Sequence, residues 1–278
     1  MVRHCIILAL LFCFRAAAQP GEARVTWMRA DLPPQSILDG ELSGQGWSDI
    51  QLRQLFPKLP GFGHQVEDAS LSRIWYEMKH HDGVCFDGAS RNAERESFAL
   101  YSRRPLLVPS YGVTVRADQK DRFARFLDSS GAIDLDRLSQ ANGLTGGYPA
   151  ARELFPAINR FLQTAKGGPR MDKTVSPLQL FNLLHARRVD FIFAEPVEAP
   201  YYRARFHLGG EFVTFPIAGD PPSIKGYLVC SKGPIGRAVI ARLDALLEDD
   251  GEWAAYLEPL RRWMIPADFA KALAQKPE

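Results

Sequence analysis

The densest chemistry in this chain lies in nine residues, Asp87-Gly88-Ala89-Ser90-Arg91-Asn92-Ala93-Glu94-Arg95, which place a hydroxyl (Ser90) and a guanidinium (Arg95) in one short loop. A planar, permanently charged Arg fork beside a hydroxyl grips a carboxylate with a directionality that the point charge of Lys does not impose. The pair points to capture of a small anionic or zwitterionic solute. Other chemistries lack a starting point. Gly143 to Gly147 has no Lys for a phosphate loop, and there is no Gly-x-Ser-x-Gly elbow and no pair of catalytic carboxylates. His80 and His81 are adjacent and so point apart on most backbones, and no Cys or His pair has zinc spacing, so neither a metal nor a cofactor is expected.

The elements that must position the loop alternate in type. Arg24 to Met28 reads as a strand stopped by Leu32-Pro33-Pro34-Gln35, since proline has no donor for a ladder. Trp47 to Phe56 has helical spacing, Gly63 to Asp68 is extended, Leu71 to Met78 is helical, and Gly83 to Phe86 is a third strand that runs into the loop. Pro109 to Arg116 alternates as a strand. A second series follows: a helix near Arg122 to Phe126, a Gly-rich turn from Asn142 to Tyr148, helices at Pro149 to Leu162 and Pro177 to Ala186, and a buried-type strand from Val189 to Ala194 ending at Glu195. Lys225 to Ser231 is extended and precedes helices at Ile235 to Leu247 and Gly251 to Trp263, the latter bent or split at Pro259. Strands alternating with helices imply mainly parallel sheets covered on both faces. Two such halves imply a cleft between lobes, lined by loops at strand carboxyl ends. The residues arriving there are Asp31 to Gln35, Ser90 with Arg95, Thr145-Gly146-Gly147-Tyr148, and Glu195. Trp27, Trp75, Phe86 and Tyr111 are assigned to the core, and Tyr148 is the aromatic expected to touch solute.

Residues 1–18 read as a secretory signal: a basic start at Arg3 and His4, an apolar run from Cys5 to Phe14, and Ala16-Ala17-Ala18 before Gln19. The apolar run is too short to span a bilayer, and Phe12 before Cys13 does not suit lipoprotein processing. A soluble, unanchored, periplasmic protein is expected. Without Arg3 and Arg15 the 34 Lys and Arg fall to 32, matching the 32 Asp and Glu, so no long-range field recommends nucleic acid or an anionic membrane. Cys85 and Cys230 remain after export, where a disulfide and two buried thiols are equally open readings.

Leu32-Pro33-Pro34, Gly40 with Gly44 and Asp49, Gly88 to Arg95 with Tyr101-Ser102, and Arg188-Val189-Asp190 with Glu195 together resemble the family 3 extracellular solute-binding proteins of ABC transporters, across about residues 24 to 264. The resemblance implies a two-lobed type II periplasmic-binding fold of the α/β class, with mixed, mostly parallel sheets and two hinge crossovers. It implies lobe 1 at residues 24–109 and 227–278 and lobe 2 at 110–226. In the amino-acid binders of that family the positions matching Ser90 and Arg95 hold the α-carboxylate. The position matching Glu195 holds the α-ammonium, and the turn matching Thr145 to Tyr148 adds carboxylate contacts. Against this, Glu195 has the alternative of capping or pairing with Arg187 or Arg188. Ala89 and Asn92 stand where the common pattern has a larger apolar residue and Thr. A closer resemblance is to a branch of these proteins with no assigned solute, which shares the Cys of the third strand and a stretch like Cys230-Ser231-Lys232. The implied topology places Lys225 to Ser231 antiparallel to Gly83 to Phe86, which brings Cys85 and Cys230 onto adjacent strands.

The function this implies is periplasmic capture of a small carboxylate-bearing, amino-acid-like solute by a monomer that closes on it and delivers it to an ABC permease. Two alternatives from other classes stand beside it. One is a dehydratase-type enzyme on the same fold, with Glu195 as acid or base, and the other is an orphan sensory module that presents its closed form to a receptor.

Overall fold

The computed structural model describes residues 22–149, 154–164, 167–174, 176–207 and 211–278; the expected signal segment, 1–18, lies outside the described residues. Two sheets carry the fold. The first contains β1 (Ala23–Arg29), β2 (Phe62–Asp68), β3 (Val84–Ala89), β4 (Ala99–Tyr101), β5 (Leu106–Pro109) and β11 (Ser223–Ser231). Its order is β2-β1-β3-β11-β4, with β5 also paired to β11; β1 is parallel to β2 and β3, and β11 is antiparallel to β3, β4 and β5. The second contains β6 (Gly112–Arg116), β7 (Thr145–Pro149), β8 (Arg170–Thr174), β9 (Phe191–Ala194) and β10 (Phe212–Pro216), in the order β10-β6-β9-β7-β8. This is a mixed α/β architecture of two sheets, as the sequence implies, but the sheets are not mostly parallel: β6, β10 and β11 run antiparallel to their neighbours, so that among the described strands five pairings are antiparallel and four parallel.

Helices cover both faces of each sheet, which is why strand residues of either parity are apolar. In the first sheet Trp27 and Cys85 point to one face with α1 (Trp47–Leu55). Met28, Val84 and Phe86 point to the other, against Ile74 and Met78 of α2 (Leu71–His80). After the short α3 (Ala93–Glu96), the second sheet is packed by α4 (Lys120–Phe123), α5 (Leu135–Ser139) and α6 (Pro156–Thr164) through Phe123, Leu138, Ile158 and Phe161. Its opposite face meets α7 (Pro177–His185) and α8 (Glu198–Arg205). The chain returns to the first sheet with α9 (Pro234–Leu247), α10 (Asp250–Leu257) and α11 (Pro266–Leu273); a 3-10 turn with Pro259 ends α10, where the sequence puts the split.

Three further sequence expectations are corrected. Pro109 to Arg116 is not one strand: β5 belongs to the first sheet and β6 to the second, with Ser110 and Tyr111 between them. Residues 142 to 148 are not a turn throughout, because Thr145 onward forms β7, paired in parallel with β8 and β9. The helix expected from Pro149 begins at Pro156.

The crossovers between the sheets are bonded to each other. Ser223 to Gly226 of β11 register against Leu106 to Pro109 of β5. Further along β11, Cys230 registers against Cys85 of β3, their Cα atoms are 4.1 Å apart, and the two sulfurs are bonded. Of the two readings of the cysteines, the structure has the disulfide.

Candidate ligand cleft

A cleft of about 890 Å³ opens where strand carboxyl ends of the two sheets face each other, a size that suits a small molecule. Its lining includes Pro34 and Gln35 beyond β1, Ser90, Arg91 and Arg95 beyond β3, and, from the other half, Tyr111, Phe155 and Glu195.

The wall after β1 is fixed by a buried acid. Asp49, in the first turn of α1, accepts from Ser36 Oγ, Ile37 N and Gly46 N at 3.0 Å each and from Arg29 Nη1 at 2.8 Å. One carboxylate thus ties the end of β1, the Pro34 loop and the start of α1 together, a capping box widened into a loop clamp. Gln35 then spans to the next loop, its Nε2 donating to Asp87 O at 2.7 Å. Gly88, with φ of 84°, lies under that amide, where a side chain would collide with it. Asp87 itself is buried, with the Tyr256 hydroxyl donating to its Oδ1 at 3.0 Å; burial pushes its carboxyl up to about 6.

This brings the Ser90 loop to the cleft on a rigid base. Asn92 caps the single turn of α3, accepting from Arg95 N at 2.9 Å. Arg95 is half-buried, with its guanidinium 4.2 Å from the Trp75 ring centre and Nη1 donating to Ser90 O at 3.2 Å. Stacked in this way, the guanidinium has fewer rotamers to lose when it meets an anion.

Glu195 arrives from β9, at the turn before α8. Its backbone N–H donates to Glu198 Oε2 at 2.9 Å and its carbonyl accepts from Glu198 N at 3.0 Å. Arg187, one alternative partner for it, is engaged with Asp118 at 2.6 Å.

Ser90, Arg95, Glu195, Pro34 and Gln35 therefore share one cleft, and the remaining expected positions do not join them. Thr145, Gly146, Gly147 and Tyr148 lie within β7, outside the cleft lining. Gly146 and Gly147 are buried where the Phe191 ring and the Leu180 side chain leave no room for a Cβ, so the glycines serve close packing rather than a turn. Tyr148 packs against the core of the second sheet. Of the aromatic residues assigned to the core, Trp27, Phe86 and Tyr111 are buried in it, the last two also bordering the cleft, whereas Trp75 is half-buried and lines the cleft. Trp75 follows the buried Ile74 by one position, which places it at the edge of the apolar stripe of α2, and that offset is the one local signal that marks it. Arg91, Lys225 and Tyr227 also line the cleft without a sequence signal of their own.

No family model and no curated protein matches the sequence. Solved structures do. The periplasmic VFT2 domain of BvgS from Bordetella pertussis is 18% identical, with a TM-score of 0.56 over 87% of this chain and 93% of that one. A Bacillus subtilis chain described as the probable amino-acid ABC transporter extracellular-binding protein ytmK is 15% identical, with a TM-score of 0.60 over 87% and 98%. A histidine kinase sensor domain described as similar to periplasmic binding proteins is 17% identical, with a TM-score of 0.58 over 92% and 98%. Among the described residues no helix is long and apolar enough to cross a membrane. At these identities the likeness is one of fold: this chain has the two-lobed α/β architecture of periplasmic and extracellular solute-binding domains.

Proposed function

We propose that the protein is an exported, monomeric solute-binding protein that captures a small carboxylate-bearing, amino-acid-like solute between its lobes and delivers it to an ABC permease. The observation that carries this reading is the placement of Ser90 and Arg95 on one wall of the cleft and Glu195 on the other. A solute carboxylate bonds to the Ser90 hydroxyl and the Arg95 guanidinium, and its ammonium pairs with Glu195. Because one solute touches both halves, it binds the closed state more tightly than the open one and shifts the population toward closure. The proposed lobes are 24–109 with 227–278 and 110–226, so that motion concentrates where β5 and β11 cross between the sheets. Residues 1–18 act as the export signal, without a lipid anchor, and no chemical step is part of the function.

Native mass spectrometry of the protein from its own periplasm identifies a retained solute, and thermal melts with an amino-acid panel test it. At a solute concentration of a hundred times Kd, the gain is about 2.7 kcal/mol, which for a chain of this size is a rise in Tm of about 5–10 °C. Arg95→Ala abolishes that rise while leaving the melting temperature without solute nearly unchanged. Full solute-induced stabilisation in Arg95→Ala overturns the reading.

The likeness to a histidine kinase sensor domain supports a second reading, in which the same closure is presented to a receptor rather than a permease. Co-purification separates them: the first predicts a permease complex as the partner and the second a signalling protein.

A further inference from the structure

One end of the cleft wall already holds a carboxylate. Arg91, in the loop after β3, has its guanidinium between two tyrosines, 5.1 Å from the Tyr101 ring centre and 4.6 Å from that of Tyr227, whose rings meet edge to face. Lys225 and Tyr227 follow on β11, Lys225 in register with Leu107 of β5 at the crossover between the sheets. Onto these three cleft-lining residues folds the side chain of Glu278, from the segment after α11. Its Oε1 pairs with Lys225 Nζ, and its Oε2 accepts from the Tyr227 hydroxyl at 3.0 Å and lies 4.0 Å from Arg91 Nη1. The Glu278 backbone N–H donates to Arg103 O at 2.9 Å, and Glu96 also faces Arg91, at 3.4 Å.

Two cations and a hydroxyl converging on two carboxylate oxygens are the donor set of an anion site, and the chain's own side chain reports which anion fits. Lys225 holds the Glu278 carboxyl below the usual carboxylate range, while burial and the bond to Glu278 push Tyr227 up to about 12, so the carboxylate is ionised and the phenol keeps its proton to donate. The ion pairs are half-exposed, which makes Glu278 a replaceable occupant rather than a structural ion pair.

We propose that Arg91, Lys225 and Tyr227 form a second anion subsite of the cleft, occupied by Glu278 until a solute carrying two acidic groups displaces it. One acidic group of that solute meets Ser90 and Arg95, and the other takes the place of the Glu278 carboxylate. The inference rests on the cleft being the solute site and narrows its ligand to diacids. Since Lys225 lies on a crossover strand, the exchange takes place where the sheets hinge.

The test is a titration of the full chain with glutarate, and with its monoamide as the singly charged control, followed by the Nε resonances of Arg91 and Arg95 in 15N NMR. Glutarate shifts Arg91 saturably in Glu278→Gln, with a midpoint about tenfold lower than in the wild type, where a tethered carboxylate competes at an effective concentration in the millimolar range. The monoamide leaves Arg91 unmoved. Equal midpoints in wild type and Glu278→Gln, an equal response to the monoamide, or no saturable shift at Arg91 overturns the proposal. A shift at Arg95 alone keeps the solute-binding reading and removes the second subsite. A shift at Arg91 with Arg95 silent keeps the subsite and removes Arg95 from the ligand contacts.

Discussion

At the scale of single residues, Asp87 is the acid whose state the fold controls most directly. Its folded carboxyl titrates near 6 because it is buried, against an ordinary value of 3.8. A group with a raised folded value binds its proton more tightly in the native state, so its contribution to stability is fully present below the unfolded value and is lost as pH rises through 6. The predicted loss between pH 4 and pH 7 is on the order of 3 kcal/mol. Asp87→Asn keeps an acceptor for Tyr256 and removes the titration. Thermal melts therefore show the variant more stable than wild type at pH 8, with the difference gone at pH 4; parallel melting curves for the two proteins across that range contradict the assignment. The same residue shows how much was legible locally. The polar run from Asp87 to Arg95 marks the cleft loop, but that its first acid is buried under Tyr256 follows from a helix 169 positions away.

At the scale of elements, the second half shows where local pattern misleads. Glycines normally punctuate turns, and Thr145-Gly146-Gly147 reads accordingly. Here they sit in β7, between β8 and β9, where Phe191 and Leu180 fill the space that side chains would need. Gly146→Ala forces its new methyl into the Phe191 ring and within 2.7 Å of Met171 Sδ. A cost of about 1–3 kcal/mol is expected from such overpacking, read as a lower urea midpoint with an unchanged m-value. A neutral result would restore the turn. Asp49, by contrast, stands in the sequence only as one of the positions that carry the family resemblance, whereas the clamp it makes needs Arg29 from β1 and the backbone of Ile37 brought to it by folding.

At the scale of the whole molecule, the Cys85–Cys230 bond closes a sequence separation of 145 residues, yet both strands lie in the first sheet. It links the two passages of the chain through that sheet and leaves the crossovers at β5 and β11 unconstrained by it. Cys230→Ser is expected to lower stability by about 2–5 kcal/mol while preserving the rise in Tm that a cleft solute induces. Loss of the solute response with little change in stability would place the bond in the moving part instead.

The sequence by itself determined the alternation of strands and helices, the two αβ halves, the loop carrying Ser90 and Arg95, and Glu195 at a strand's end, because burial periodicity, prolines and loop polarity are local properties of the chain. Tertiary structure alone decided that Cys85 faces Cys230, that Trp75 lines a cleft and that the buried Phe86 and Tyr111 border it, that Thr145 to Tyr148 form a strand, and that Glu278 closes on Lys225. Apolar side chains look the same in sequence whether packed atoms or an open cleft stands opposite them, and register and opposition are set by segments distant in the chain.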